Sequence, residues 1–170
     1  MLNLDGATTE YSNTVVGEDV DPPTTSKGID DMYKKIIVGY DGSDRAKGAV
    51  KEAADLATAT GSALHLVTAV NKNEKIHTMG ESSDKQFLSD SEIATKNLEY
   101  VAETISHLDI TMAAVPGSPA KVLVDQAEET NADLILVGNR HVQGLSRVLG
   151  SVAEDVAHKA PCAVLIAKTA

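Results

Sequence analysis

Five short runs rich in β-branched and aliphatic residues recur along the chain, separated mostly by segments whose apolar positions follow a helical period. The runs are Lys35-Ile-Ile-Val-Gly39, Leu64 to Val70, Asp109 to Val115, the stretch 133–137 closing on Leu134-Ile-Leu-Val137, and Ala163-Val-Leu-Ile-Ala167. Each has the length of a strand, and the apolar run Leu134 to Val137 is short enough for a buried one. From Ser43 to Thr60, Ala46, Ala49, Val50, Ala53, Ala54, Leu56 and Ala57 recur at helical spacing, and Gly61 follows as a helix stop. Asn71 to Ser83 reads as a loop, and Asp84 to His107 as one long amphipathic helix. Gly117-Ser-Pro119 supplies an N-cap and a proline in the first turn for a helix that runs to about Thr130. A last helix begins at Ser151.

Strands alternating with helices imply an α/β fold, a parallel sheet with helices on both faces. Right-handed crossovers leave few topologies, of which the doubly wound order 3-2-1-4-5 is the simplest. In that order the first and fourth strands are neighbours, and the chain leaves them toward opposite faces. Ligands of such sheets bind in the crevice beyond the carboxyl ends of the strands. Here the first strand ends at Gly39 and runs into Tyr40-Asp-Gly-Ser43, and the fourth ends at Gly138. The two most glycine-marked turns therefore meet at the switch point.

The fourth turn continues through Asn139-Arg-His-Val-Gln-Gly144 to Gly150-Ser-Val-Ala-Glu154. Ser151 with Glu154 three residues on has the form of a capping box, in which the serine caps the helix and contributes about 1 kcal/mol. A glycine-rich loop leading into a helix N-terminus offers unpaired N–H groups and the positive end of the dipole to an anion. Asp41 would repel phosphate, so it belongs at the nucleoside end or on a metal. It is equally a turn-forming Asx residue before Gly42. Arg140 and Arg147 have the charge to meet phosphate and also suit a solvated loop.

The formal net charge of −10 argues against a nucleic-acid or anionic-membrane partner, and no apolar run approaches a membrane span. Residues 1–31 carry seven acids against Lys27, a net −6, with Pro22-Pro23 and no sustained periodicity. They read as a disordered acidic tail ahead of a domain at 32–170, and Met32 is a second candidate start. They have neither the basic start nor the apolar core of a secretory signal. Cys162 is the one cysteine, which excludes an internal disulfide and fits a reducing cytoplasm. In its apolar setting it reads as packing. The five histidines have no zinc-ligand spacing.

Lys35-Ile-Ile-Val-Gly-Tyr-Asp-Gly-Ser43, Ala132-Asp-Leu-Ile-Leu-Val-Gly138, Gly150-Ser-Val152 and His158-Lys-Ala-Pro-Cys-Ala-Val-Leu-Ile166 together resemble the universal stress protein family. The resemblance covers 33–170. It implies a cytoplasmic stress-response protein, a homodimer through the last strand, and in many members ATP or AMP as ligand, with or without Mg. In nucleotide-binding members the fourth strand ends in Gly, two residues, Gly, nine residues, then Gly followed by Ser or Thr. Gly138, Gly150 and Ser151 match. His141 stands where the second glycine belongs, and only eight residues, 142–149, separate it from Gly150. By the same matching Asp41 contacts the nucleoside, Ala69 lies on the adenine side, and Val152 offers its N–H to phosphate. The candidate nucleotide-binding set is Gly39, Asp41, Ala69, Gly138, Arg140, His141, Gly150, Ser151 and Val152.

Three functions compete: a non-catalytic adenine-nucleotide-binding dimer, a slow ATPase on the same site, and a dimer that has lost nucleotide binding. The chain has no G-x-x-x-x-G-K-[ST] loop, no G-x-G-x-x-G and no evident base for in-line attack, which weighs against the enzyme. His141 and the shortened loop favour the third reading.

Overall fold

A computed structural model describes residues 32–73, 75–80, 86–139 and 150–168. The acidic tail, Arg140, His141 and Arg147 lie outside the described residues. In chain order the elements are β1 (Lys35–Gly39), α1 (Asp44–Thr60), β2 (Ala63–Val70), β3 (Ile76–Met79), β4 (Gln86–Ser89) and α2 (Asp90–Glu103). They continue with β5 (Ile110–Pro116), α3 (Pro119–Thr130), β6 (Leu134–Gly138), α4 (Ser151–Lys159) and β7 (Ala163–Ala167).

The main sheet has five parallel strands in the order β5-β2-β1-β6-β7, which is the expected 3-2-1-4-5 arrangement. β1 is central, with Val38 opposite Leu66 on one side and Leu136 on the other. Its residues Ile36, Ile37 and Val38 are all 0% exposed, so both faces of the strand are covered. Alternation along the strand divides the core. Ile36, Val38, Leu64, Leu66, Leu134 and Leu136 pack against α1 and α2 through Ala49, Val50, Ala53, Leu98 and Val101. Ile37, Val67, Ile135 and Val137 pack against α3 and α4 through Val122, Leu123, Ala127, Ala153 and Val156. The alanine-rich face of α1 lets it sit close to the sheet, which fits a chain with one Phe and no Trp. Burying each Val, Leu or Ile contributes about 1.5–3 kcal/mol.

Polar contacts fix the neighbours of β1. Asp133 Oδ2 accepts the N–H groups of Lys34 (2.9 Å) and Lys35 (3.0 Å), pinning the start of β6 to that of β1. His65, buried in β2, lies 2.7 Å from Thr111 Oγ1 and 3.0 Å from Gln126 Oε1, so it ties β5 and α3 to the sheet. It is a satisfied core histidine.

The region after β2 departs from expectation. In place of one long loop and a helix from Asp84, β3 and β4 form an antiparallel hairpin, and α2 begins at Asp90. Ser89 is the N-cap, with its hydroxyl accepting from Glu92 N–H (3.2 Å) and Glu92 Oε2 accepting from Ser89 N–H (2.7 Å). This capping box fixes the helix start, although the apolar pair Phe87-Leu88 would extend the periodicity backward. The helix also stops at Glu103, where Thr104 turns its hydroxyl onto Val101 O (2.6 Å), short of the expected His107.

Asp90 clasps the hairpin to the helix. Its Oδ1 accepts His77 Nε2 (2.6 Å), its Oδ2 accepts Lys75 N–H (3.0 Å), and its own N–H donates to Lys75 O (3.1 Å). The His77 hydrogen bond, then that from Lys75, holds the Asp90 carboxyl below the usual range. A depressed acid stabilises the fold above the unfolded carboxylate pKa of about 3.9, and that contribution is lost as pH falls through the folded value. Amide exchange at Lys75, corrected for intrinsic rates, should lose protection between pH 6 and about 3, while Val38 keeps its own. Asp90→Ala should leave Lys75 poorly protected at both, because no side-chain acceptor remains; wild-type protection in that variant would mean the hairpin is held elsewhere.

Candidate functional site

Four main-chain segments carry the candidate residues at the carboxyl end of the sheet. Beyond β1, Tyr40 N–H still bonds to Val67 O (2.9 Å), after which the chain turns sharply. Asp41 Oδ1 accepts Ser43 N–H (3.0 Å), Gly42 takes φ 79°, and Ser43 caps α1 by accepting Ala46 N–H (3.2 Å). A side chain at position 42 would be strained there. Asp41 is thus a turn-forming residue, and it is exposed, with its Oδ2 retaining acceptor capacity.

Ala69 lies near the end of β2, opposite Val115 of β5. It borders a cavity of about 600 Å³ that extends past Val115, Gly117 and Ser118 to the start of α3. Gly117 is required by packing, since a Cβ there would stand 2.7 Å from Val122 Cγ2. Gly39 is similarly confined, at 3.1 Å from Leu123 Cδ1. At the end of β6, a Cβ on Gly138 would stand 3.4 Å from the Arg45 carbonyl oxygen, so the first turn of α1 crosses close over this strand end. Asn139 N–H continues the ladder to Ala167 O (2.9 Å).

The fourth segment is the start of α4. Gly150, not Ser151, is the N-cap: it has extended φ −64° and ψ 146°, its carbonyl accepts Glu154 N–H (3.0 Å), and Ser151 is the first helical residue. No side-chain cap bond forms, so the expected capping box is absent. A serine already inside the helix cannot reach back over its first turn. The N–H groups of Ser151 and Val152 have no acceptor within the helix, and the dipole there is positive. Ser118 does occupy the expected N-cap of α3, likewise without a side-chain bond.

The structure therefore brings Gly39, Asp41, Ala69, Gly138, Gly150, Ser151 and Val152 to one end of the sheet. Arg140 and His141 lie outside the described residues. Sequence reasoning passed over Thr68, whose hydroxyl donates to Tyr40 O at 2.7 Å. The signal was a lone hydroxyl in a largely apolar strand. A second cavity of about 490 Å³ lies between α1 and α2, floored by Val50, Ala54, Val101 and Ile105, with its lining drawn from α1, α2 and the turn after α2. Among the described residues no three His, Cys, Asp or Glu side chains gather as a metal cage. Burial, with a smaller push from Asp133, raises the Cys162 thiol and keeps it protonated and unreactive. Burial raises the Tyr40 phenol too, partly offset by Lys47, so neither group supplies a ready nucleophile.

The model of the universal stress protein family matches residues 32–168. The chain belongs to the universal stress protein family. A universal stress protein of Methanocaldococcus jannaschii is 32% identical over 144 residues, covering 82% of this chain and 84% of the relative. A putative universal stress protein of Staphylococcus aureus is 30% identical over 143 residues, 81% and 85% of the two chains. Among solved structures, a universal stress protein in complex with cAMP superposes with a TM-score of 0.64 at 29% identity, over 82% of this chain and 99% of that one. A universal stress protein of Archaeoglobus fulgidus in complex with dAMP gives 0.58 at 26% identity, over 81% and 99%. The doubly wound sheet is thus the fold of the family.

Because Ser151 makes no capping bond, Ser151→Ala should change thermal stability by less than about 0.5 kcal/mol, as for an ordinary exposed position. A melt showing a loss of about 1–2 kcal/mol would restore the serine to the cap.

Proposed function

We propose that the crevice between the ends of β1 and β6 binds an adenine nucleotide, and that the chain acts as a dimeric, non-catalytic module whose surface responds to the bound state. The observation that carries this reading is the convergence of Asp41, Ala69, Gly138 and the α4 N-terminus at the switch point of the sheet. Two structurally similar family members solved with cAMP and dAMP support it. A role in stress response, in the cytoplasm, is the one that family membership favours.

The roles divide by charge. The N–H groups of Ser151 and Val152, with the Ser151 hydroxyl, would meet phosphate, and Gly138 would leave room for it beside the first turn of α1. Asp41 would repel phosphate and instead accept from a ribose hydroxyl through Oδ2. Ala69 and the adjoining cavity wall would receive the base, and Gly39 keeps the floor low. Any Mg would arrive on the phosphates, since a lone Asp41 offers one ligand group.

Purified protein, denatured and examined by mass spectrometry, should release an adenine nucleotide. Calorimetry should give affinities for AMP, ADP and ATP within about tenfold, or 1.4 kcal/mol, because Gly138 and Gly150 are one residue closer in sequence than the family's nucleotide-binding spacing, which would leave the end of the phosphate chain least enclosed. A strong ATP preference would contradict the open phosphate end. No binding of any of the three would favour a dimer without nucleotide, the reading that His141 and the short loop support.

The dimer is proposed through β7. It is an edge strand with Val164, Leu165 and Ile166 only half-buried and no proline inside it, an aggregation hazard unless paired. Leu165→Lys should give monomer or insoluble protein in light scattering, whereas an unchanged dimer mass would move the interface elsewhere.

A further inference from the structure

We propose that Thr68 is a positioning residue for the nucleoside end of the crevice, holding the turn that presents Asp41; this rests on the nucleotide reading above. The main chain of Tyr40, the residue before Asp41, is held from β2 at both ends. Its N–H donates to Val67 O at 2.9 Å, and its carbonyl accepts the Thr68 hydroxyl at 2.7 Å. The first bond continues the β1–β2 ladder one residue past the strand. At the second, the hold passes from main chain to a side chain, and the 40–41 peptide plane becomes fixed.

The turn beyond that plane is short and leaves little slack. Asp41 closes onto Ser43 N–H, Gly42 sits at φ 79°, and Ser43 caps α1. Tyr40 is only 5% exposed and packs in the core with α1, so its side chain anchors the same residue from below. Asp41 itself is exposed, and its hydrogen bond is the local one to Ser43 N–H. Its placement therefore depends on Tyr40, and the direction of the Tyr40 carbonyl depends on Thr68. Thr68 is also the neighbour of Ala69, so one dipeptide of β2 sets both the wall on the base side and the acid on the ribose side.

A hydroxyl is needed for this and a methyl is not. Valine has nearly the shape of threonine but cannot donate, and it would leave the Tyr40 carbonyl without its partner. Serine keeps the donor. Loss of the bond should free the 40–41 peptide and loosen Asp41 without removing it.

The test is calorimetry with AMP on the full chain, in a double-mutant cycle. Thr68→Val should weaken AMP about tenfold, and Thr68→Ser should stay within about twofold of wild type. In an Asp41→Ala background Thr68→Val should cost less than about twofold, because the acid it positions is gone. Thr68→Ala serves the same comparison should the valine variant misfold. Wild-type affinity in Thr68→Val, a tenfold loss in Thr68→Ser, or an equal loss with and without Asp41 would each overturn the proposal while leaving the nucleotide reading standing. Wild-type protein that binds no AMP would overturn the nucleotide reading and this proposal with it.

Discussion

The complete burial of β1 is the constraint on which the rest of the architecture depends. Ile36, Ile37 and Val38 are fully enclosed, and alternation along a strand sends them to opposite faces, so helices must cover both. α1 and α2 cover one face, α3 and α4 the other. A two-sided sheet with parallel strands needs crossovers, and their right-handedness makes the chain leave β1 and β6 in opposite directions. That divergence opens the crevice. The candidate site is thus a by-product of how the central strand is buried.

At that crevice the candidate site residues already meet structural demands. Gly39 sits where Leu123 of α3 passes close to the strand end, so packing favours a small residue there, whereas a Cβ on Gly138 would make only ordinary contact with the first turn of α1. Asp41 and Ser43 build the turn and cap α1. The start of α4 departs from this economy, as does Ser118 at the start of α3. Gly150 caps with its main chain, which leaves Ser151 exposed at the first turn without a capping task. A serine hydroxyl with no capping bond, beside the positive end of the α4 dipole, is open to a ligand.

The strand order and the four helices were legible because Ile36 to Val38, Leu134 to Val137 and Ala163 to Ala167 are continuous apolar runs and the segments between strands repeat at a helical period. The hairpin was not. Ile76, Thr78 and Met79 belong to a strand too short and exposed to leave an apolar signature, and β4 runs straight into the α2 pattern. The Ser89-x-x-Glu92 box was the available signal, and it outweighs the apolar Phe87-Leu88 pair that pulled the expected helix start back to Asp84. The identical local signature at Ser151-x-x-Glu154 does not form a box, because Gly150 takes the extended cap conformation one residue earlier. Capping motifs define a helix start only to within a residue, and here that residue decides whether a hydroxyl is committed. Thr68 was invisible for another reason: its partner, Tyr40, is brought to it only by the β1–β2 pairing.

In the proposed function the nucleotide sits at the β1–β6 switch point and not in the groove between α1 and α2. Titrating AMP into isotopically labelled protein, and tracking backbone amide resonances, separates the two directly. Binding at the switch point predicts shifts concentrated at Gly39 to Ser43, Ala69, Gly138 and Gly150 to Val152. Shifts centred instead on Val50, Ala54 and Val101, or none at saturating AMP, would contradict it.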